Sequence, residues 1–250
     1  MNQSLIDYTL QLADNALIIG HRNSEWCGHG PVLEQDIAIS NIALDFIGQA
    51  RNFYQYAAEL LGNGATEDSL AFLRDVPEFK NVLITELPNG DWAQTTLRQF
   101  LFSTYQYYFY QQLQNSTDTR LAAIAAKSLK EVTYHLRWSS EWVIRLGDGT
   151  EESKHRLLTA LDELWNFTGE MFLPAAYETA LLQENMGVDL SIIHQHWNQK
   201  VQEVFAEASI QIPKKSWAQQ GGKTGIHTEH LGYILAEMQF LQRAYPGAEW

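Results

Sequence analysis

Two short patterns have the layout of a di-metal carboxylate site but not its ligands. Asp45-Phe46-Ile47-Gly48 and Glu131-Val132-Thr133-Tyr134 each start on an acid. A Glu-x-x-His motif would carry its imidazole three residues later, on the same face of a helix. Glycine and tyrosine stand there instead. His135 follows Tyr134 directly, but a shift of one residue turns a side chain about 100° away. A bundle that holds two metals also needs a carboxylate from each of its other helices. The stretch from Trp92 to Thr117 contains no Asp or Glu, and Arg98 is its only formal charge. Ser103, near its middle, stands where that acid would be. Asp45, Gly48, Ser103, Glu131 and Tyr134 are therefore expected to be degenerate metal-site positions, with no metal and no catalytic residue in this chain. Asp45 and Glu131 are expected to be satisfied acids, with Lys127 and Arg98 as candidate partners, because an unpaired buried charge is very costly. Gly48 is expected to mark close packing, since glycine inside a helix costs about 1 kcal/mol relative to alanine.

A second group lies near the C-terminus. Gly221-Gly222-Lys223-Thr224 is half of a phosphate loop. The full motif needs glycine at 217, which is Trp217, and no strand precedes it, so a nucleotide triphosphatase is excluded. Lys214, Lys215 and Lys223 precede a helix capped by Thr228. With His227 and His230 they are candidates to touch a CoA phosphate or an acidic patch of a partner, because helix N-termini and flexible glycines suit anions. His227-x-x-His230 could join His194-x-His196 around zinc, but hydrogen bonding at loops and helix ends is the expected role. Cys27 is expected to be a buried thiol. Trp92, Phe100, Phe102, Tyr105, Tyr107, Tyr108, Phe109 and Tyr110 form an aromatic belt. The run from Tyr107 to Tyr110 points to every side of a helix, so part of the belt is expected to meet another subunit.

The elements that must position these residues are helices. Residues 5–20 have helical periodicity. Val32 to Leu61 is apolar nearly all round, which predicts a helix buried on most sides, and it stops at Gly62-Asn63-Gly64. Asp91 caps a third helix, from Trp92 to about Gln114. A fourth follows Asn115–Asp118 and ends near Leu146, before Gly147-Asp148-Gly149. Further helical stretches are predicted at 152–170, 175–185, 189–208 and 229–243, with a Gly- and Lys-containing loop at 211–227. No strand alternation and no internal repeat is evident. The expected fold is all-α: an antiparallel four-helix bundle over 1–147 with additional helices over 148–250, in one domain.

Composition narrows the function. The chain has 250 residues, 45% of them hydrophobic, and carries 30 acids against 17 bases, a net charge of −13. That excess argues against nucleic acid or an anionic membrane as the main partner. One cysteine excludes an internal disulfide and Cys-rich metal sites. Met1 to Leu12 has Asp7 and no basic residue, so it does not read as a signal peptide. No apolar run approaches the roughly 20 residues of a membrane span. A cytoplasmic protein is expected.

Several ordered segments carry a family resemblance. They are Glu25-Trp26-Cys27-Gly28-His29, Asn41–Arg51, Ala71-Phe72, Pro88-Asn89-Gly90, Gly221–Leu231 and Glu237-Met238-Gln239. Together they resemble the non-catalytic, PaaC-type ferritin-like subunit of bacterial ring-1,2-phenylacetyl-CoA epoxidase, along the whole chain. The resemblance implies a ferritin-like fold and a structural, metal-free role in a multicomponent monooxygenase of aerobic phenylacetate degradation. A different ferritin-like subunit would carry the di-iron centre and bind the CoA thioester. A separate reductase would bring electrons from NADPH. The chain would pair with the catalytic subunit and with itself. Ser103 is a departure, since some relatives keep an acid in this stretch.

Two rival readings remain at this level. One is a di-metal oxidase with unusual ligands such as Asp14, Asp45, Glu131 and His135. The other is a stand-alone helical protein that binds an acyl-CoA.

Overall fold

The computed structural model describes residues 2–214 and 217–248. Among them every regular element is helical, as the periodicity predicts. The chain divides into two compact units, Met1–Pro88 with Gln220–Trp250, and Asn89–Gln219. The expected boundary at 147 falls inside the second.

In the first unit, α1 (Gln3–Ser24) and α2 (Leu33–Leu61) form a helical hairpin. Asn2 caps α1 by accepting from the Leu5 N–H at 3.2 Å. Gly62 ends α2 with φ 64°, a left-handed value that glycine tolerates. The burial pattern reverses one expectation. It is α1 that is buried on nearly every side from Leu5 to Gly20, with polar Thr9, Gln11, Asp14 and Asn15 among the buried residues. On α2, Ile39, Ile42, Phe46 and Phe53 are buried, but Leu33, Ile37, Leu44 and Ile47 are exposed. The close-packing glycine of the hairpin is Gly20, not Gly48. A Cβ on Gly20 would meet Phe46 Cβ and Ile47 Cδ1 at 3.1 Å, whereas a Cβ on Gly48 would meet nothing within 4 Å. A short helix, α3 (Glu67–Phe72), starts from a Thr66/Ser69 capping box. The irregular stretch after it contains tight turns at Val76–Glu78 and Leu83–Thr85. The unit is completed by α9 (Glu229–Met238) and α10 (Phe240–Ala244), where one helix to Arg243 was predicted.

The second unit is built round α4 (Trp92–Leu113), capped by Asp91 accepting from the Gln94 N–H at 3.0 Å. It packs against α5 (Thr119–Gly147), α6 (Glu151–Leu164) and α8 (Leu190–Glu207), with α7 (Ala176–Gln183) between the last two in sequence. The predicted helix to 170 stops at Leu164 and gives way to tight turns at 165–172. Phe100, Phe102, Tyr105, Phe109 and Tyr110 are buried within the chain, while Trp92, Tyr107 and Tyr108 are half-buried. Most of the aromatic belt is therefore core, which leaves at most those three for another subunit. Trp197 Nε1 donates to the Leu101 carbonyl at 2.9 Å and ties α8 to the middle of α4.

The end of α5 meets the end of α8 backbone to backbone. A Cβ on Gly147 would lie 2.3 Å from the Ala208 carbonyl oxygen, so backbone would have to move. Gly147→Ala should destabilise the protein by about 1–3 kcal/mol, a melting temperature lower by several degrees in a thermal scan. An unchanged melting temperature would contradict this packing.

Candidate functional site

Among the described residues, the first unit contains two buried carboxylates, Asp14 and Glu86, and each is enclosed by hydrogen-bond donors. Asp14, on α1, accepts from the Tyr54 hydroxyl, from both terminal nitrogens of Arg74 and from the Lys80 backbone N–H at 2.8 Å. Arg74 also donates to the Leu70 and Glu78 carbonyls at 2.6 and 2.9 Å, and its guanidinium lies 4.2 Å above the Phe79 ring. Burial alone would lower the Arg74 pKa, but the Asp14 charge outweighs it and the pKa is raised, so the guanidinium stays protonated. Burial, together with Asp14, pushes the Tyr54 phenol far above its ordinary range. Asp14 therefore serves as the anchor of an ion pair. Metal ligation, as the oxidase reading would require, would dismantle that arrangement.

The second carboxylate is Glu86, in the irregular stretch. It accepts from the Thr228 N–H and hydroxyl at 2.7 and 2.8 Å, from Asn81 Nδ2 at 2.8 Å and from His227 Nδ1 at 2.8 Å. His227 Nε2 donates to the Phe79 carbonyl at 2.9 Å. Both ring nitrogens face acceptors, so both carry protons and the ring is an imidazolium. Burial opposes this charge. The Glu86 hydrogen bond and charge, the Phe79 carbonyl and Asp14 together raise the His227 pKa above its ordinary value. The side chains of His227 and Glu86 are both fully buried.

This arrangement explains the Gly-rich loop. A Cβ on Gly222 would sit 2.2 Å from the Asn81 carbonyl oxygen, and one on Gly225 2.2 Å from that of Pro77. Gly225 also has φ 84°. The glycines let the loop lie flat against the irregular stretch, and Lys223 is 4% exposed. Lys223 and His227 are thus removed from the candidate anion or partner contacts, because both are committed inside the fold. His230 is half-buried, and its backbone N–H donates to the Thr228 hydroxyl at 3.3 Å. Lys214 is exposed and belongs to the second unit, and Lys215 lies outside the described residues. His194 and His196 also belong to the second unit; His194 stacks on Phe172 at 4.3 Å and His196 lies against Tyr108.

The positions expected to form a degenerate metal site fall on three helices. Asp45 is half-buried on α2, and Gly48 one turn on is open. Gly48 therefore does not serve the close packing expected of it. On α4, Ser103 is fully buried and accepts from Gln99 Nε2 at 2.7 Å. On α5, Glu131 is half-buried near Tyr110, whose phenol is raised by burial and by the Glu131 charge. Tyr134 is 40% exposed and points outward, whereas His135 is fully buried. Arg98 is fully buried and donates to Asn89 Oδ1 at 2.6 Å, and Lys127 is exposed. Among the described residues, no group of three His, Cys, Asp or Glu side chains is placed to hold a metal ion, and no helix is long and apolar enough to cross a membrane. Cys27 is exposed, not buried: it sits in the loop between α1 and α2, where no core covers it.

Glu86 went unnoticed in the sequence. The available signal was His227 beside Thr228, two donors that require an acceptor if buried.

Comparison with known proteins places the chain. A family model described as phenylacetic acid catabolic protein matches residues 1–250. A relative from Escherichia coli (strain K12), the C-type subunit of 1,2-phenylacetyl-CoA epoxidase, is 47% identical over 250 residues, covering 100% of each chain.

The His227–Glu86 pair has a pH signature. A histidine whose folded pKa is raised contributes stability that is fully present below its unfolded pKa, about 6.5, and lost as pH rises through the folded value. His227→Ala should cost about 3–5 kcal/mol below pH 6 and measurably less at pH 9, read from denaturant melts. A cost independent of pH would show that the ring is neutral throughout.

Proposed function

Because the chain belongs to the phenylacetic acid catabolic protein family, we propose that it is the C-type subunit of a multicomponent ring-1,2-phenylacetyl-CoA epoxidase. The single observation that carries this reading is 47% identity running the full length of both chains. The all-α architecture fits, since the family is ferritin-like.

In this reading the chain is a structural component of aerobic phenylacetate degradation, works in the cytoplasm and is not an enzyme alone. The di-iron centre and the CoA thioester belong to the catalytic ferritin-like partner, and electrons from NADPH arrive through a separate reductase. Four features of this chain support a metal-free role. Gly48 offers no ligand, Tyr134 faces outward, Ser103 is bonded to Gln99 and Asp14 is held by Arg74 and Tyr54. What the chain supplies is surface. Its exposed apolar side chains on α2 are of the kind that become covered when proteins assemble.

Co-expression with the catalytic subunit should give a complex that co-purifies, with iron in the partner. The isolated chain should bind no stoichiometric iron, and Glu131→Ala should leave the iron content of the complex unchanged. Iron bound to the isolated chain and lost on Glu131→Ala would overturn the metal-free assignment. A chain that stays a solitary monomer beside the catalytic subunit would favour the acyl-CoA-binding reading.

A further inference from the structure

The exposed side of α2 has a regular pattern. Leu33, Ile37, Leu44 and Ile47 are 72, 52, 67 and 36% exposed. With Ser40 and Arg51 they stand at 33, 37, 40, 44, 47 and 51, alternating steps of four and three. Averaging about 3.6 residues per step, they form one straight stripe along α2 that a neighbouring helix inclined by about 20° can follow. The opposite side, with Ile39, Ile42, Phe46 and Phe53, is buried in this chain's own core. α2 is therefore apolar on two sides; its own fold covers one and touches the other only at Ile47, whose Cδ1 lies against Gly20 of α1.

Gly48 supplies an independent observation. It lies within the helix one turn after Leu44 and directly after Ile47, and a Cβ there would meet nothing within 4 Å. Glycine at this place weakens the helix. The isolated fold gains no packing in exchange, in contrast to Gly20 and Gly147. A missing side chain beside an apolar seam lets a second backbone come close.

Charge selects the occupant. α2 carries Glu34, Asp36, Asp45 and Glu59 against Arg51, and the chain as a whole has a net charge of −13. A second copy would bring acid against acid. A helix with an apolar seam flanked by lysines or arginines meets the opposite sign.

We propose that Leu33, Ile37, Leu44 and Ile47 form the docking seam for one near-parallel, basic-flanked helix of another subunit, with Gly48 at the closest approach of the two backbones. The proposal rests on the epoxidase-subunit reading for the identity of that partner.

The test measures binding of the purified catalytic subunit to the full-length chain, alongside thermal melts of the chain alone. Gly48→Ala should raise the melting temperature by about 2–4 °C and yet weaken binding about 10-fold. Leu44→Lys should leave the fold intact and weaken binding about 100-fold or more. Leu158→Lys, at an exposed position on α6, should bind as wild type. Wild-type affinity in both Gly48→Ala and Leu44→Lys would overturn the seam while leaving the subunit reading standing. Failure of the wild-type chain to bind would remove the subunit reading and the seam with it. A self-dimer of the isolated chain dispersed by Leu44→Lys would overturn the choice of occupant.

Discussion

A carboxylate cut off from water must receive a donor for each lone pair it turns inward, or the fold cannot keep it charged. Glu86 meets this demand with four donors drawn from three residues at two places in the sequence: Asn81, His227, and the backbone and side chain of Thr228. Its own backbone carbonyl accepts from Arg22 Nε and Nη2 at 3.1 and 2.9 Å, which ties in α1. The first unit is discontinuous in sequence, and Glu86 joins its two pieces. Gln239 adds a second tie, donating to the Ala71 and Arg74 carbonyls at 3.1 and 2.9 Å. Arg74 is in turn the partner of Asp14. The two buried acids therefore share one scaffold, the irregular stretch from 74 to 86. It is held by polar bonds because it has few helical ones of its own.

That arrangement bears on the layout of a di-metal carboxylate protein. In such a protein the inward acids of the bundle are neutralised by metal ions. Here Asp14 faces a guanidinium and a phenol, so its negative charge is balanced by protein. Ser103 and Gln99 on α4 satisfy each other as neutral groups. Buried polar groups need partners, and each pairing fixes a side chain that a metal would otherwise orient. On this reading the helical framework persists while its interior electrostatics are handled by hydrogen bonds and by the Asp14–Arg74 and Glu86–His227 ion pairs.

The helices were legible because their signals are local. Asp91 and Asp118 each accept backbone N–H groups at the start of a long helix, and Gly62 ends one with a positive φ. α3 was missed because six residues offer too little periodicity. Which side of a helix is buried was less legible. α1 carries Asp14, Asn15 and Gln11 and is still the more buried helix, since its polar side chains find partners from distant segments. α2 looked buried on most sides because apolar residues surround it, but composition does not say which chain will cover them. The same limit applies to glycine. Gly20 and Gly48 look alike in sequence, and only the neighbours separate a tight contact from an open one. Lys223 looked like an anion contact, and its burial followed from the flat packing of Gly222 and Gly225 against carbonyls far back in the chain. Glu86 sits in a stretch with no regular element, where spacing carries little information.

The two kinds of glycine also separate two demands on the sequence. Gly20, Gly147, Gly222 and Gly225 answer to this chain's own packing, because a methyl group at each would press on atoms of the same chain. Gly48 answers to nothing inside it. A residue that weakens the free protein without serving its fold is consistent with selection on an assembled state, where stability of the chain and occupancy of its partner are linked by mass action. The exposed leucines and isoleucines of α2 point the same way, since they expose apolar surface in the free chain that a bound helix would remove from water. On the proposed seam, the free protein is the less favoured form of the molecule: its interior is closed by bonded acids, and its remaining unsatisfied surface faces outward. In the proposed subunit role, the buried network around Glu86 and Asp14 holds the first unit in one shape, so the α2 seam is offered to its neighbour as a fixed surface.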